Sequence, residues 1–212
     1  MSANLGFNHE FVAGTSTRTL LLLHGTGGNE HDLIPLGRYL DPEAALLSPR
    51  GQVLENGMPR FFRRLAEGVF DEKDLIRRTN ELADFLRQAA ADYGFDPQKL
   101  RAVGYSNGAN IGGALLLLRP ETLRGAALLR PMVPLVPERL PELTGTSVLV
   151  LAGNQDPIVS VENARELVAL FRRAGADVTV CFENAGHAII NTTVETTKRW
   201  LADTTHEPHS RP

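Results

Sequence analysis

Short, wholly apolar runs alternate along this chain with longer stretches of 3.6-residue periodicity. Leu20–Leu23 is uninterrupted and stops at His24-Gly25, the pattern of a strand buried on both faces of a parallel sheet. Ala44–Leu47, ending just before Pro49, predicts a second, weaker strand, and Leu100–Val103, Gly125–Leu129, Val148–Ala152 and Val178–Phe182 predict four more. Helical patterns lie between them. From Lys73 onward, Leu75, Thr79, Leu82, Leu86, Ala89 and Tyr93 fall on one stripe, with Arg77, Glu81, Asp84 and Asp92 largely off it, and Gly94 closes the helix. Asn107–Leu118 ends before Arg119-Pro120, and Ser160–Ala174 turns Val161, Ala164, Leu167, Val168 and Phe171 inward. Thr192-x-x-Glu195 reads as a capping box that opens a last helix through Leu201. Arg50–Asp71 has poor periodicity and predicts a loop or short helices. Pro131–Pro141 predicts an insertion over the upper edge of the sheet. Repeated strand–helix units predict one α/β domain over residues 1–212, a mostly parallel sheet with helices on both faces, and a polar tail from about residue 204.

Composition narrows the classes without choosing among them. The 212 residues are 42% apolar and 22% charged, ordinary for a globular chain that buries its own core. A net charge of −3 gives no strong attraction to nucleic acid or to an anionic membrane. No apolar run approaches bilayer length, so no stable membrane insertion is expected. Cys181 is the single cysteine, which excludes an internal disulfide and fits a reducing compartment. With no basic segment and apolar stretch at the N-terminus, the expected location is cytoplasmic.

Ligands in such sheets bind beyond the carboxyl ends of the strands, so the residues that follow each strand carry the chemistry. Gly104-Tyr105-Ser106-Asn107-Gly108 sits between a strand and a helix. There it predicts a sharp turn in which the two glycines give clearance and Ser106 is held exposed at a helix N-terminus. Gly153-Asn154-Gln155-Asp156-Pro157 follows another strand, Gly186-His187 follows the last, and His24-Gly25-Thr26-Gly27-Gly28 follows the first. The chain order Ser106, Asp156, His187 is that of a nucleophile-elbow hydrolase. In this reading Ser106 is the nucleophile, His187 the base and Asp156 its orienting acid. The backbone N–H groups of Thr26 and Asn107 form the oxyanion hole, so their side chains are expected to tolerate change better than the triad.

Asp156 before Pro157 is also a common turn residue, and His187 after Gly186 fits a solvent-facing turn. His24 competes for the base, but its position predicts a structural role bracing the glycine-rich loop. Cys181 reads as a small core residue, and no metal-ligand spacing is present, so neither metal nor cofactor is expected.

The ordered motifs resemble a known family. Leu21-Leu22-Leu23-His24-Gly25-Thr26-Gly27-Gly28-Asn29-Glu30, with Asp32 following, resembles the first signature of the phospholipase/carboxylesterase family of α/β-hydrolases, which includes the acyl-protein thioesterases. Ser48-Pro49-Arg50-Gly51, the Ser106 motif through Asn110, Gly153 to Val159 and Gly186-His187 are similar to its small bacterial carboxylesterase branch. The resemblance runs from about Thr19 to Leu201. It implies an α/β-hydrolase fold with a minimal cap and a carboxylesterase that cleaves small esters through an acyl-enzyme. Acyl-protein thioesterases usually carry glutamine where this chain has Asn107, which favours the bacterial branch. Acyl thioesterase and lysophospholipase remain alternatives. A dienelactone-hydrolase-like activity would imply cysteine at Ser106. Outside the enzymes, a ligand-binding receptor or inactive hydrolase relative uses the same fold.

For the substrate pocket, Phe61, Phe62, Met132 and Val133, with Leu65 and Phe70, are candidates to line an acyl or aromatic site. They are equally readable as core beneath a long loop. Arg60, Arg63 and Arg64 read as a solvated surface cluster. The expected partner is a small-molecule ester, with no nucleic acid; a homodimer is compatible with the sequence.

Overall fold

The computed structural model describes residues 6–205. Its framework is a seven-stranded sheet in the order β1-β3-β2-β8-β9-β10-β11. These strands are β1 (His9–Val12), β2 (Thr19–Leu23), β3 (Ala45–Pro49), β8 (Leu100–Tyr105), β9 (Gly125–Leu129), β10 (Ser147–Gly153) and β11 (Asp177–Glu183). All neighbours pair in parallel except β1, which runs antiparallel to β3 at the edge. The mostly parallel α/β architecture expected from the apolar runs is the one observed. β1 was not foreseen. Its four residues are all half-buried and lack the continuous apolar run of a central strand.

Successive side chains of a strand point to opposite faces, and the core divides accordingly. Leu21 and Leu23 join one cluster with residues of α2 (Glu72–Tyr93), α3 (Asn107–Leu118) and α4 (Val161–Arg173). Leu20 and Leu22 join the other, with Leu40 of α1 (Ile34–Leu40) and Trp200 and Leu201 of α5 (Asn191–Thr205). Helix α2 buries Leu75, Thr79, Leu82, Leu86 and Ala89 as the stripe predicts, is capped by Asp71, and ends at Gly94 in the left-handed conformation. Helix α4 is capped by Ser160. No helix among the described residues is long and apolar enough to cross a membrane.

Two expectations from the sequence are corrected. Residues 50–71 form two small hairpins, β4 (Val53–Glu55) with β5 (Met58–Arg60) and β6 (Arg64–Ala66) with β7 (Val69–Phe70), in place of a loop or short helices. Asn56-Gly57 is the first turn, with both residues at positive φ, and this dipeptide was the available signal. The capping box at Thr192 does not form. Helix α5 begins one residue earlier, and it is Thr193 Oγ1 that accepts from the Ile190 N–H. Thr192 instead donates its hydroxyl to Glu183. Helix α1, short and opened by Pro35, went unread. The polar tail predicted from about residue 204 lies, from residue 206 on, outside the described residues.

Candidate active site

Strand β8 delivers Ser106 at the turn into α3. Its backbone is at φ 52, ψ −115, a strained conformation for a residue with a Cβ, of a kind that costs on the order of 1–3 kcal/mol. The surroundings hold it there: Ser106 N–H donates to Leu129 O of the neighbouring strand at 2.9 Å, and its carbonyl accepts from Asn110 N–H. The flanking glycines are a steric requirement. A Cβ at Gly104 would lie 2.6 Å from Gly108 O, and one at Gly108 would lie 2.0 Å from Leu23 O. Ser106 stands at the N-cap of α3, yet its hydroxyl makes no cap bond.

That hydroxyl instead meets His187. Ser106 Oγ is 2.9 Å from His187 Nε2, and His187 Nδ1 is 2.7 Å from Asp156 Oδ2. A carboxylate only accepts, so Nδ1 carries the proton and Nε2 is left free to accept from the serine. The Asp156 side chain is 0% exposed. Its other oxygen accepts from the N–H groups of Ile158 and Val159, so the turn after β10 fixes the carboxylate on both sides.

The loops carrying Asp156 and His187 are themselves joined. Asn154 N–H donates to Glu183 O and Gln155 N–H to Ala185 O. This approach needs a glycine at 153, where a Cβ would lie 2.4 Å from Ala185 O. Tyr105 O–H reaches His187 O at 3.2 Å. Behind the loop lies Arg130, paired with Glu183 in a fully enclosed ion pair at 2.7 Å. Desolvation pushes the Glu183 carboxyl up, but hydrogen bonds from Thr193, Thr192 and Arg130 outweigh it and hold the group below its ordinary value. Neither Tyr105 nor Arg130 was singled out from the sequence. Their contacts join residues tens of positions apart, and only the conspicuous placement of Arg130 directly after a buried strand could have flagged it.

A cleft of about 220 Å³ opens over Ser106. Thr26, Asn107 and His187 line it, together with Arg60, Tyr105, Asn110, Phe70, Met132 and Ile158. Two candidate pocket residues fall elsewhere: Phe61 is 2% exposed and Phe62 0%, both in the core beneath the hairpins. Val133 packs against that same core and is not among the lining residues. Arg60 is the last residue of β5 and lines the cleft, and the bend just beyond the strand carries Phe61 and Phe62 into the core. The surface reading of the arginine cluster holds for Arg63 only. Arg60 is buried, with Nη1 donating to Thr26 Oγ1 at 2.7 Å, and desolvation pulls its guanidinium below the ordinary value. The side chains of Thr26 and Asn107 are therefore both engaged by the first hairpin and the residue after it: Asn107 Oδ1 accepts from Phe61 N–H at 2.7 Å.

His24 is enclosed and makes different bonds. Its Nε2 accepts from Gly51 N–H at 2.9 Å, which leaves Nδ1–H to donate to Gly25 O at 2.7 Å. Burial pushes its pKa down, so the neutral ring is the favoured state.

Residues 59–206 match the dienelactone hydrolase family. A Bacillus subtilis protein named as a hydrolase, MhqD, is 50% identical over 92% of this chain and 98% of its own length. A rice protein described as an inactive carboxylesterase is 26% identical over 65% of this chain and 58% of its own. Among solved structures, a Bacillus cereus carboxylesterase superposes with a TM-score of 0.93 at 52% identity, covering 95% of this chain and 96% of that one.

Proposed function

The chain belongs to the dienelactone hydrolase family, in the α/β-hydrolase fold, and from that premise we propose that it is a carboxylesterase acting on small esters through Ser106, His187 and Asp156. The observation that carries this reading is the unbroken chain of contacts from Ser106 Oγ through His187 to the buried Asp156. A serine hydroxyl is a weak nucleophile near neutral pH unless a base takes its proton as it attacks. His187 Nε2 is placed to take that proton and to return it to the leaving alcohol. Asp156 holds the required tautomer and stabilises the imidazolium.

The tetrahedral oxyanion needs donors fixed in advance. The backbone N–H groups of Thr26 and Asn107 are assigned this role, one from the loop after β2 and one from the first residue of α3, where the helix dipole adds to the effect. Water then attacks the acyl-enzyme along the same path. Ser106 stands where dienelactone-hydrolase-like activity would imply cysteine, which favours simple esters over that activity. The small cleft favours short acyl groups.

A fluorophosphonate probe tests the assignment directly. The wild type should label and hydrolyse p-nitrophenyl acetate, and Ser106→Ala should do neither. Absence of labelling in the wild type would sink the hydrolase reading and favour an inactive or receptor-like relative.

A further inference from the structure

We propose that Arg130 is a positioning residue that sets the aim of His187 by gripping the peptide groups on both sides of it. Resting on the triad reading above, this assigns a role in the reaction to a residue that touches neither substrate nor the reacting atoms.

Arg130 follows β9 directly and adopts φ 56, in the left-handed region that side-chain-bearing residues avoid. Its own N–H extends the sheet ladder to Leu151 O at 2.8 Å. The bend sends the side chain inward, where it is 0% exposed. A guanidinium has five N–H donors, and five acceptors surround this one. Nε donates to Gly186 O at 3.0 Å. Nη1 donates to Leu151 O at 3.3 Å and Glu183 Oε2 at 2.7 Å. Nη2 donates to Ala188 O at 3.0 Å and Thr193 Oγ1 at 3.2 Å.

The acceptors are not scattered. Gly186 and Ala188 flank His187, and the carbonyl between them, that of His187 itself, accepts from Tyr105 O–H. Three consecutive carbonyls are thus captured by side chains from the ends of β8 and β9, the strand ends beside Ser106. Glu183 closes β11 and Thr193 lies in the first turn of α5, so the same guanidinium also fixes both ends of the histidine loop. Glu183 supplies the countercharge, with further hydrogen bonds from Thr192 Oγ1 at 2.8 Å and Thr193 Oγ1 at 2.6 Å. A loop is otherwise a mobile place to mount a base. The planar, five-donor fork makes this one rigid, and lysine, with three donors at a single point, cannot reproduce it.

The test compares Arg130→Lys and Thr193→Val with Leu167→Ala, a core variant in α4 outside the site. Each is assayed with p-nitrophenyl acetate, and kcat is expressed per site titrated with a fluorophosphonate. Misaiming the base predicts kcat for Arg130→Lys lower by on the order of 10²-fold with KM nearly unchanged. It also predicts that the acidic limb of the pH–kcat/KM profile moves to lower pH, because a loosened His187–Asp156 contact stabilises the imidazolium less. Thr193→Val, which removes one of the five acceptors, should shift both readouts in the same direction by less. Leu167→Ala should lose stability only. If Arg130→Lys folds and keeps kcat within about two-fold of wild type, the inference is overturned. If Arg130→Lys does not fold, an unchanged kcat and pH profile in Thr193→Val overturns it. A wild type that neither labels nor turns over would instead remove the triad reading on which this rests.

Discussion

The Phe61 N–H donates to Asn107 Oδ1 at 2.7 Å, tying the residue that follows Ser106 to the strand end of the first hairpin. The two residues before it, Pro59 and Arg60, reach the loop after β2. Gly27 N–H donates to Pro59 O at 2.9 Å, and Arg60 Nη1 donates to Thr26 Oγ1 at 2.7 Å. Residues 59–61 therefore grip both segments assigned to the oxyanion hole. Preorganisation of this kind is what gives such donors their catalytic value, because they need not rearrange as charge develops.

Asn107→Ala tests that grip. It leaves the Phe61 N–H buried without a partner, which should cost about 1–3 kcal/mol of stability. The urea midpoint should fall without a change in slope, and kcat should fall in the folded fraction as the Asn107 N–H loses its anchor. An unaltered midpoint would show that the side-chain contact carries no load.

Two glycines of α3 should behave oppositely. Gly108→Ala places a Cβ 2.0 Å from a backbone carbonyl of β2, which cannot yield, so native protein should not accumulate. At Gly113 the nearest atoms to a new Cβ are 3.6 Å away, an ordinary contact. Gly113→Ala should therefore raise stability by about 0.5–1 kcal/mol through helix propensity alone. Thermal melts of both variants decide the matter, and equal destabilisation would contradict the steric account.

The two histidines should separate in the same way. His187→Ala should fold normally and lose ester turnover. His24→Ala should lose stability, since it empties a buried site and orphans the Gly51 N–H. The pH dependence follows from the depressed pKa of His24. Above its ordinary value of 6.5 the ring is neutral in both folded and unfolded chains, and its stabilisation is fully present. Below that pH the unfolded chain takes up a proton that the folded ring resists, so stability declines as pH falls. Desolvation is the leading cause, opposed by the Gly25 carbonyl and by the charges of Asp32 and Glu30, with Arg50 acting in the same sense as burial. Glu30 and Glu183, held below their ordinary values, lose their contributions only at more acid pH, below about their ordinary 4.5. Urea midpoints between pH 7 and 5 should fall in the wild type and flatten in His24→Ala (pH values chosen to span roughly the histidine window).

What was legible in the sequence follows from how far each signal travels along the chain. Strands β2, β8, β9 and β10 are buried on both faces or nearly so and β11 is a partly buried edge strand, and the apolar-rich runs of all five announce them. Their ends locate Ser106, Asp156 and His187 without reference to packing. The hairpins of residues 53–70 have strands of two or three residues, too short for any period, and only Asn56-Gly57 marked a turn. That omission left the pocket candidates unsorted, because it is the end of β5 that leaves Arg60 at the cleft while the bend after it carries Phe61 and Phe62 into the core. Arg130 was illegible for a different reason. Its meaning lies in acceptors at positions 151, 183, 186, 188 and 193, which only the folded sheet brings together.

Met132 offers a way to set acyl-chain preference. Its backbone is fixed by the Asn110 side chain, whose Oδ1 accepts from Met132 N–H at 2.7 Å, so truncating the side chain should leave the main chain in place. The methyl end reaches across the cleft toward the turn of the second hairpin, where a Cβ on Gly68 would sit 3.7 Å from it. Met132 thus reaches from the insertion after β9 to the hairpin and, with Gly68, lines a space of about 220 Å³. Met132→Ala should enlarge that space. The ratio of kcat/KM for p-nitrophenyl hexanoate over acetate should then rise on the order of ten-fold, the scale on which a hydrophobic pocket discriminates a few methylenes. Stability should change little, because Met132 is only half-buried. An unchanged ratio would mean that the acyl chain leaves the cleft by another path, past Phe70 or Ile158.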